Sequence, residues 1–229
     1  MCLGHTHALS GLVAGTAVGL YVTHVTGSHL MLLAGLTAGA AVLPDMDHPD
    51  STLAYSFGFL TKSVAWLVGS ISGGHRHLTH AVAGVAGFTV LAELAVAHRH
   101  RPLGAVGLAV FLALIIAGAL YALAVRGHGA DVLAIVGAIA MLVTRTGLSL
   151  AGTAVGVGCL THVAGDLLTD EGCPLLYPVS QYRFRLLPEP LAFTSGTWPE
   201  FWVLDPALAG GLGFLLYRAV TAGVLHVGS

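Results

Sequence analysis

The amino-acid sequence predicts an all-α fold: a polytopic transmembrane helical bundle with six to eight membrane segments, some short or re-entrant. Three observations carry this prediction. The chain is 55% hydrophobic and only 9% charged, whereas about a quarter of the residues in a soluble domain are charged. Its apolar residues gather into runs that meet or approach the roughly twenty needed to cross a bilayer as a helix, where every backbone amide must be paired internally. Its 31 glycines lie largely inside those runs, where small residues let helices approach closely without a hydrophobic force between them.

Taken in order, residues 8–25 form the first run. No Lys or Arg precedes it, so the charged start of a secretory signal is missing and the helix is read as retained. Residues 30–43 form a shorter run, closed by Pro44, which cannot continue a helix interior. The run at 57–71 lies between two segments rich in histidine and aspartate. It is expected to be re-entrant or interfacial, as Lys62 and Trp66 suit the headgroup level. Residues 81–97, 103–125, 148–168 and 207–225 are further long runs, and 132–143 is a short one. Between 173 and 206 lie six of the nine prolines and two of the three tryptophans, which marks an interfacial or extramembrane loop. The whole of 1–229 reads as one membrane-embedded helical domain in the cell membrane.

Composition also excludes functions. A net charge of -2 with nine scattered Lys and Arg offers no basic surface for direct nucleic-acid binding. Cys2, Cys159 and Cys173 have neither the number nor the spacing of a disulfide framework or of paired metal knuckles.

Six of the eleven acidic residues fall in two short segments, Leu43-Pro-Asp-Met-Asp-His-Pro-Asp50 and His162 to Gly172. Such clustering beside membrane helices is costly unless the charges are paired or bind a cation. Pro44 places Asp45, Asp47 and His48 on a turn, and alternating carboxylates there can converge on one ion. A solvated polar turn is the ordinary alternative. His162 and Asp166 are spaced i, i+4 and so project from one helix face towards one ion or two neighbouring ions. Asp170 and Glu171 read as a solvated helix end.

The third segment, Gly73-Gly-His-Arg-His-Leu-Thr-His80, presents His75, His77 and His80 just before an apolar run. Thr79 could cap that helix or orient a ligand through its hydroxyl. Arg76 disfavours simple cation storage but suits clamping a phosphate or stabilising a developing anion. The fourth segment, His5-Thr-His7, joins the others if the first two helices form a hairpin. His24, His29, His98, His100 and His226 are expected outside the site, and His128 in a solvated loop.

The order Thr6-His7, Leu-Pro-Asp45-Met-Asp47-His, His75-Arg-His-Leu-Thr-His80 and His162-Val-Ala-Gly-Asp166, followed by Leu-Leu-Tyr-Pro178, resembles a bacterial and archaeal family of membrane-bound hydrolases described as metal-dependent. The family was formerly a domain of unknown function, and one member is described as LexA-binding. The resemblance runs from about Thr6 to Pro178 and assigns His7, Asp45, Asp47, His75, Arg76, Thr79, His80, His162 and Asp166 to the family's motifs. His77 looks like a local extra, and Ala81 stands where a small hydroxyl residue is common. More distantly, His162-x-x-x-Asp166 is similar to a metal-binding helix of zinc phospholipases C and single-strand nucleases.

These readings lead to a membrane-embedded, metal-dependent phosphoester hydrolase acting on a lipid or polyprenyl phosphate through metal-activated water. One to three divalent ions, zinc favoured, would be held by Asp45, Asp47, His75, His80, His162 and Asp166, with His7 a further ligand. Arg76 would bind phosphate, and Asp47 would serve as general base. The alternative is a divalent-metal transporter or metal-binding membrane protein, which expects ligands near the bilayer midplane. An intramembrane protease ranks lower: a second intramembrane aspartate and the H-E-x-x-H and G-x-S-x-G motifs are missing. A noncatalytic scaffold leaves the clustered ligands unexplained.

Overall fold

The computed structural model describes residues 3–225, so Cys2 and His226 lie outside the described residues. Within that range the chain folds into eight α-helices: α1 (Gly4–Tyr21), α2 (Gly27–Ala40), α3 (Phe59–Ser72), α4 (Val82–Ala97), α5 (Pro102–Ala122), α6 (His128–Thr144), α7 (Ala151–Asp166) and α8 (Asp205–Thr221). Each matches one apolar run. Among the described residues, extended pairing is confined to two isolated bridges, Thr169 with Phe193 and Cys173 with Phe184. Both tie down the long segment after α7.

Four helical stretches are long and apolar enough to cross a membrane: Gly27–Asp47, Pro102–Ala122, Leu148–Asp166 and Glu200–Thr221. The helices α1, α4 and α6 are shorter and run alongside them. Local chemistry sets their ends. The helix α2 gives way at Pro44 to a 3-10 turn, Pro44–Asp47, and Pro102 starts α5 where its missing N–H is not needed. Gly73 ends α3 in the left-handed region, at φ 89°, which favours glycine. Thr79 does not cap α4, because the residue that enters that helix is Ala81.

The helix α2 is central, packing against α1, α5 and α7. Glycine makes this possible. A Cβ at Gly39 would collide with the Ile115 carbonyl of α5, and one at Gly158 would sit 2.7 Å from the Cβ of Ala40 and from the Thr37 carbonyl oxygen. Backbones this close gain dispersion contact along their whole length, the main source of helix association in lipid. The same contacts fix the end of α2, and so Asp45, against α7.

Chain direction sorts the connections onto two ends of the bundle. The start of α1, the end of α2, the start of α4, the end of α7 and the start of α8 share one end. At the other, the Gly27 N–H donates to the Val224 carbonyl at 2.9 Å. The helix α3 is the exception to alternation. Both its flanks lie at the first end: the Phe57 N–H donates to Asp131 at the start of α6 at 3.2 Å, and Gly73 leads straight into the histidine loop. Its 14 residues extend about 21 Å, short of the roughly 30 Å hydrocarbon core. It packs on the turns Pro44–Asp47 and Leu53–Tyr55 and exposes Phe59, Leu60, Trp66, Leu67 and Ile71. Lys62 sits 4.5 Å from the Tyr55 ring centre.

Candidate metal centre

The four segments meet at that bundle end. Pro44 turns the chain out of α2 so that Asp45 and Asp47 point inward, and both are buried, at 2% and 3% exposure. The loop from Gly73 to His80 then wraps Asp47. His75 donates Nδ1–H to Asp47 Oδ1 at 2.7 Å. The Arg76 N–H (3.0 Å) and the Thr79 hydroxyl (2.5 Å) both donate to Oδ2. Arg76 takes a left-handed φ of 57° to make this wrap, a conformation that costs a side-chain-bearing residue about 1–2 kcal/mol. Asp47 is therefore the hub that shapes the loop.

Beneath this hub, four side-chain atoms converge. The Nε2 atoms of His80 and His162 stand 3.1 Å apart. Asp45 Oδ1 is 3.5 Å from each of them. Asp166 Oδ2 is 3.5 Å from His80 and 3.6 Å from His162. A tetrahedral zinc site with bonds of about 2.0–2.1 Å has ligand–ligand edges of about 3.3 Å. Five edges of such a tetrahedron are thus present to within a few tenths of an ångström.

Hydrogen bonding decides which ring atoms are available. His162 Nδ1 lies 2.7 Å from the Ala41 carbonyl. A carbonyl only accepts, so Nδ1 carries the proton and the Nε2 lone pair faces inward. His80 Nδ1 lies 3.0 Å from Thr79 Oγ1, whose own proton goes to Asp47, so it too is the donor atom. Two imidazole lone pairs and two carboxylate oxygens then face one point, an arrangement that could hold a metal ion. The pattern of ligating histidines held by carbonyl or carboxylate partners is the usual support of a metal site. Burial alone would lower the pKa of His80, but its contacts with Asp45, Asp47 and Asp166 outweigh it and raise the ring to about 9.

His7 completes the cluster from α1. Its ring stacks on His162 with centroids 3.7 Å apart, and its Nε2 is 3.4 Å from Asp166 Oδ1. Two buried groups could therefore hold a metal ion, His7–His162–Asp166 and Asp45–His80–His162, with His162 common to both.

Three sequence-predicted residues take other positions. Asp47 has both oxygens engaged by the loop, away from the convergence point. His75, also expected as a ligand, directs Nδ1 to Asp47 and packs its ring edge-on against His80, with centroids 5.4 Å apart. Arg76, expected to face substrate, is 1% exposed and spends its guanidinium inside the protein: Nη2 lies 3.0 Å from Asp166 and Nη1 3.0 Å from Glu171. Glu171 stays exposed, as expected of a solvated helix end, while it pairs with Arg76. His77 turns away from the cluster, with Nδ1 on the His75 carbonyl and its ring against Tyr177.

Sequence reasoning missed the fastening of α1. Glu200 is fully buried and accepts the N–H groups of Leu3 and Gly196, both at 2.6 Å. His5 pairs with Asp205 at 2.9 Å. These contacts bind the start of α1 to α8 and so hold His7 in place. No motif surrounds Glu200; the only available signal is a carboxylate next to a strongly apolar run.

Eight helices around a buried histidine–aspartate cluster define a multi-pass membrane protein with a candidate metal centre. A family model described as YdjM inner membrane protein matches residues 1–223. The chain belongs to that inner-membrane family. No curated protein and no solved structure matches it.

Proposed function

We propose that this protein is a metal-dependent phosphoester hydrolase of the membrane, acting on a phosphate-bearing lipid. The observation that carries the reading is the convergence of His80 Nε2, His162 Nε2, Asp45 Oδ1 and Asp166 Oδ2 at tetrahedral spacing. These four residues would hold a divalent ion, and their mixed nitrogen and oxygen donors suit zinc. When bound, such an ion supplies Lewis acidity and a water acidic enough to act near neutral pH.

The chain's own residues prepare this chemistry. Ala41 and Asp47 fix the tautomers of His162 and His80. Arg76 orients Asp166 through a buried ion pair, and the pair to exposed Glu171 lets the guanidinium turn towards an anion that displaces that carboxylate. His7 lies beside Asp166 on the α1 side, placed to exchange a proton with a bound group. Gathering the donors at one bundle end favours hydrolysis at the interface over transport, which needs ligands near the midplane.

The test is turnover. Purified, zinc-loaded protein is expected to release inorganic phosphate or a phosphorylated headgroup from a panel of lipid phosphates and phospholipids, and the His162→Ala variant to release none. Metal-replete protein that is inert across the panel would overturn the reading.

A further inference from the structure

At the end of the bundle opposite the candidate metal centre, the turn from α4 into α5 meets the end of α6 around a cavity of about 240 Å³. Arg99, His100 and Ala105 line it from the turn and the start of α5, and Leu142, Val143 and Arg145 from the end of α6. The backbone holds both arginines in place. Arg99 is half-buried and donates Nη1–H to the Val96 carbonyl at 2.8 Å, and Arg145 ends α6 in the left-handed region at φ 58°. Neither has a counter-ion: among the described residues, the ion pairs of arginine belong to Arg76 and Arg185. Glu93, the carboxylate of α4, packs instead on Gly152 of α7. The helix ends nearby do not cancel the charge. Each amounts to about half a unit, positive at the start of α5 and negative at the ends of α4 and α6, against two full guanidinium charges.

We infer that this cavity binds the headgroup phosphate of an anionic phospholipid, at a site separate from the metal centre and independent of the hydrolase reading. Depth follows from length. The helix α5 has 21 residues, about 31 Å, which matches the roughly 30 Å hydrocarbon core. In a multi-pass membrane protein its first residue, Pro102, then stands at the hydrocarbon boundary, with Arg99 and His100 just outside it at headgroup level. Chemistry selects the occupant. Two guanidiniums suit phosphate oxygens, and a choline cation beside the same phosphate would be repelled by them. Ala105, Leu142 and Val143 give the cavity an apolar border, with Val143 76% exposed; it suits the first carbons of an acyl chain and offers nothing to a free phosphate ion. The volume is below the roughly 300–1,000 Å³ of sites that enclose a drug-sized molecule, as fits a headgroup rather than a whole lipid. Basic pockets between transmembrane helices bind such headgroups in general.

The experiment titrates full-length protein in neutral detergent with phosphatidylglycerol or with net-neutral phosphatidylcholine, and native mass spectrometry counts the lipid retained. The parent protein is expected to retain one phosphatidylglycerol in preference to phosphatidylcholine. Arg145→Gly supplies the residue best suited to a left-handed φ, so it removes a charge without disturbing the end of α6. It should weaken phosphatidylglycerol binding about fivefold, the effect of one surface cation on anionic lipid. Ala105→Glu keeps both arginines, sets a carboxylate in the cavity and should weaken binding further. Arg218→Gln, in the last turn of α8 at the same bundle end but outside the cavity, should leave it unchanged, and excess inorganic phosphate should not displace the lipid. Equal retention of the two lipids, retention unchanged in both cavity variants, or an equal loss in Arg218→Gln would overturn the assignment. Displacement by inorganic phosphate would overturn it too, by marking a site for the free anion.

Discussion

His162 and His80 bring their Nε2 atoms to 3.1 Å while each Nδ1 is committed to another partner, Ala41 in one case and Thr79 with Asp47 in the other. Neither ring can turn without losing a buried hydrogen bond. With Asp45 and Asp166 completing the group, four acceptors point at one place, where a divalent ion could sit. Without an ion, contacts with Asp45, Asp47 and Asp166 favour a proton on His80.

The first prediction concerns pH. The folded pKa of His80, about 9, lies above the ordinary histidine value of about 6.5. The proton's contribution to stability is therefore fully present below pH 6.5 and is lost as pH rises through 9. Thermal unfolding of chelator-treated protein in detergent should shift downward across that window. Zinc-loaded protein should show a smaller shift. Identical pH dependence with and without zinc would contradict the assignment.

A second prediction separates Asp47 from the atoms that converge. Asp47→Asn keeps the shape of the hub but weakens its grip on His80 and His75. Loss of such an outer partner typically costs 10–100-fold in metal affinity. Competition against a zinc indicator should show a loss of that size in a protein that still binds.

Arg76 provides the third. Removing the guanidinium takes one cationic partner from Asp166, which keeps His7, His80 and His162 beside it, so the loss should fall below the roughly 3–5 kcal/mol of a buried charge left with no partner. Arg76→Ala is expected to unfold at markedly lower temperature. Arg76→Lys should recover only part of the loss, because a single ammonium cannot span Asp166 and Glu171 as the forked group does. Full rescue by lysine would show that charge alone matters there.

A fourth prediction tests the packing that sets the site. Gly39→Ala forces a methyl group into the Ile115 carbonyl and should destabilise the fold by about 1–3 kcal/mol, as overpacking does elsewhere. Moving α2 also displaces Asp45. Weaker zinc binding should therefore accompany the lower unfolding temperature.

Much of this was legible in the sequence. Each apolar run became a helix, because length and hydropathy decide what can sit in lipid. The apolar run between the aspartate turn and the histidine loop is read as unable to cross fully, because its two neighbours must share one end of the bundle, and both flanks of α3 lie at that end. The i, i+4 spacing of His162 and Asp166 gave their common direction. The division of labour among the remaining polar residues was not legible. Asp45 and Asp47 are two residues apart on one turn, and only the wrap of the loop shows that one faces the cluster and the other holds the loop. Arg76 reads as a phosphate clamp because an arginine near a metal suggests an anionic substrate, whereas the structure sets its buried guanidinium against Asp166. The fastening of α1 by Glu200 depends on a contact between residues 197 positions apart, which no local pattern announces.

The central claim is that Asp45, His80, His162 and Asp166 form a metal centre. Metal analysis of the purified protein, repeated for Asp45→Ala, His80→Ala and His162→Ala with circular dichroism confirming that each variant remains helical, tests it most directly. The proposed function predicts a bound divalent metal, zinc foremost, in the parent protein and its loss in all three variants, most completely in His162→Ala because both candidate groups share that residue. Metal content unchanged in all three folded variants would contradict the account.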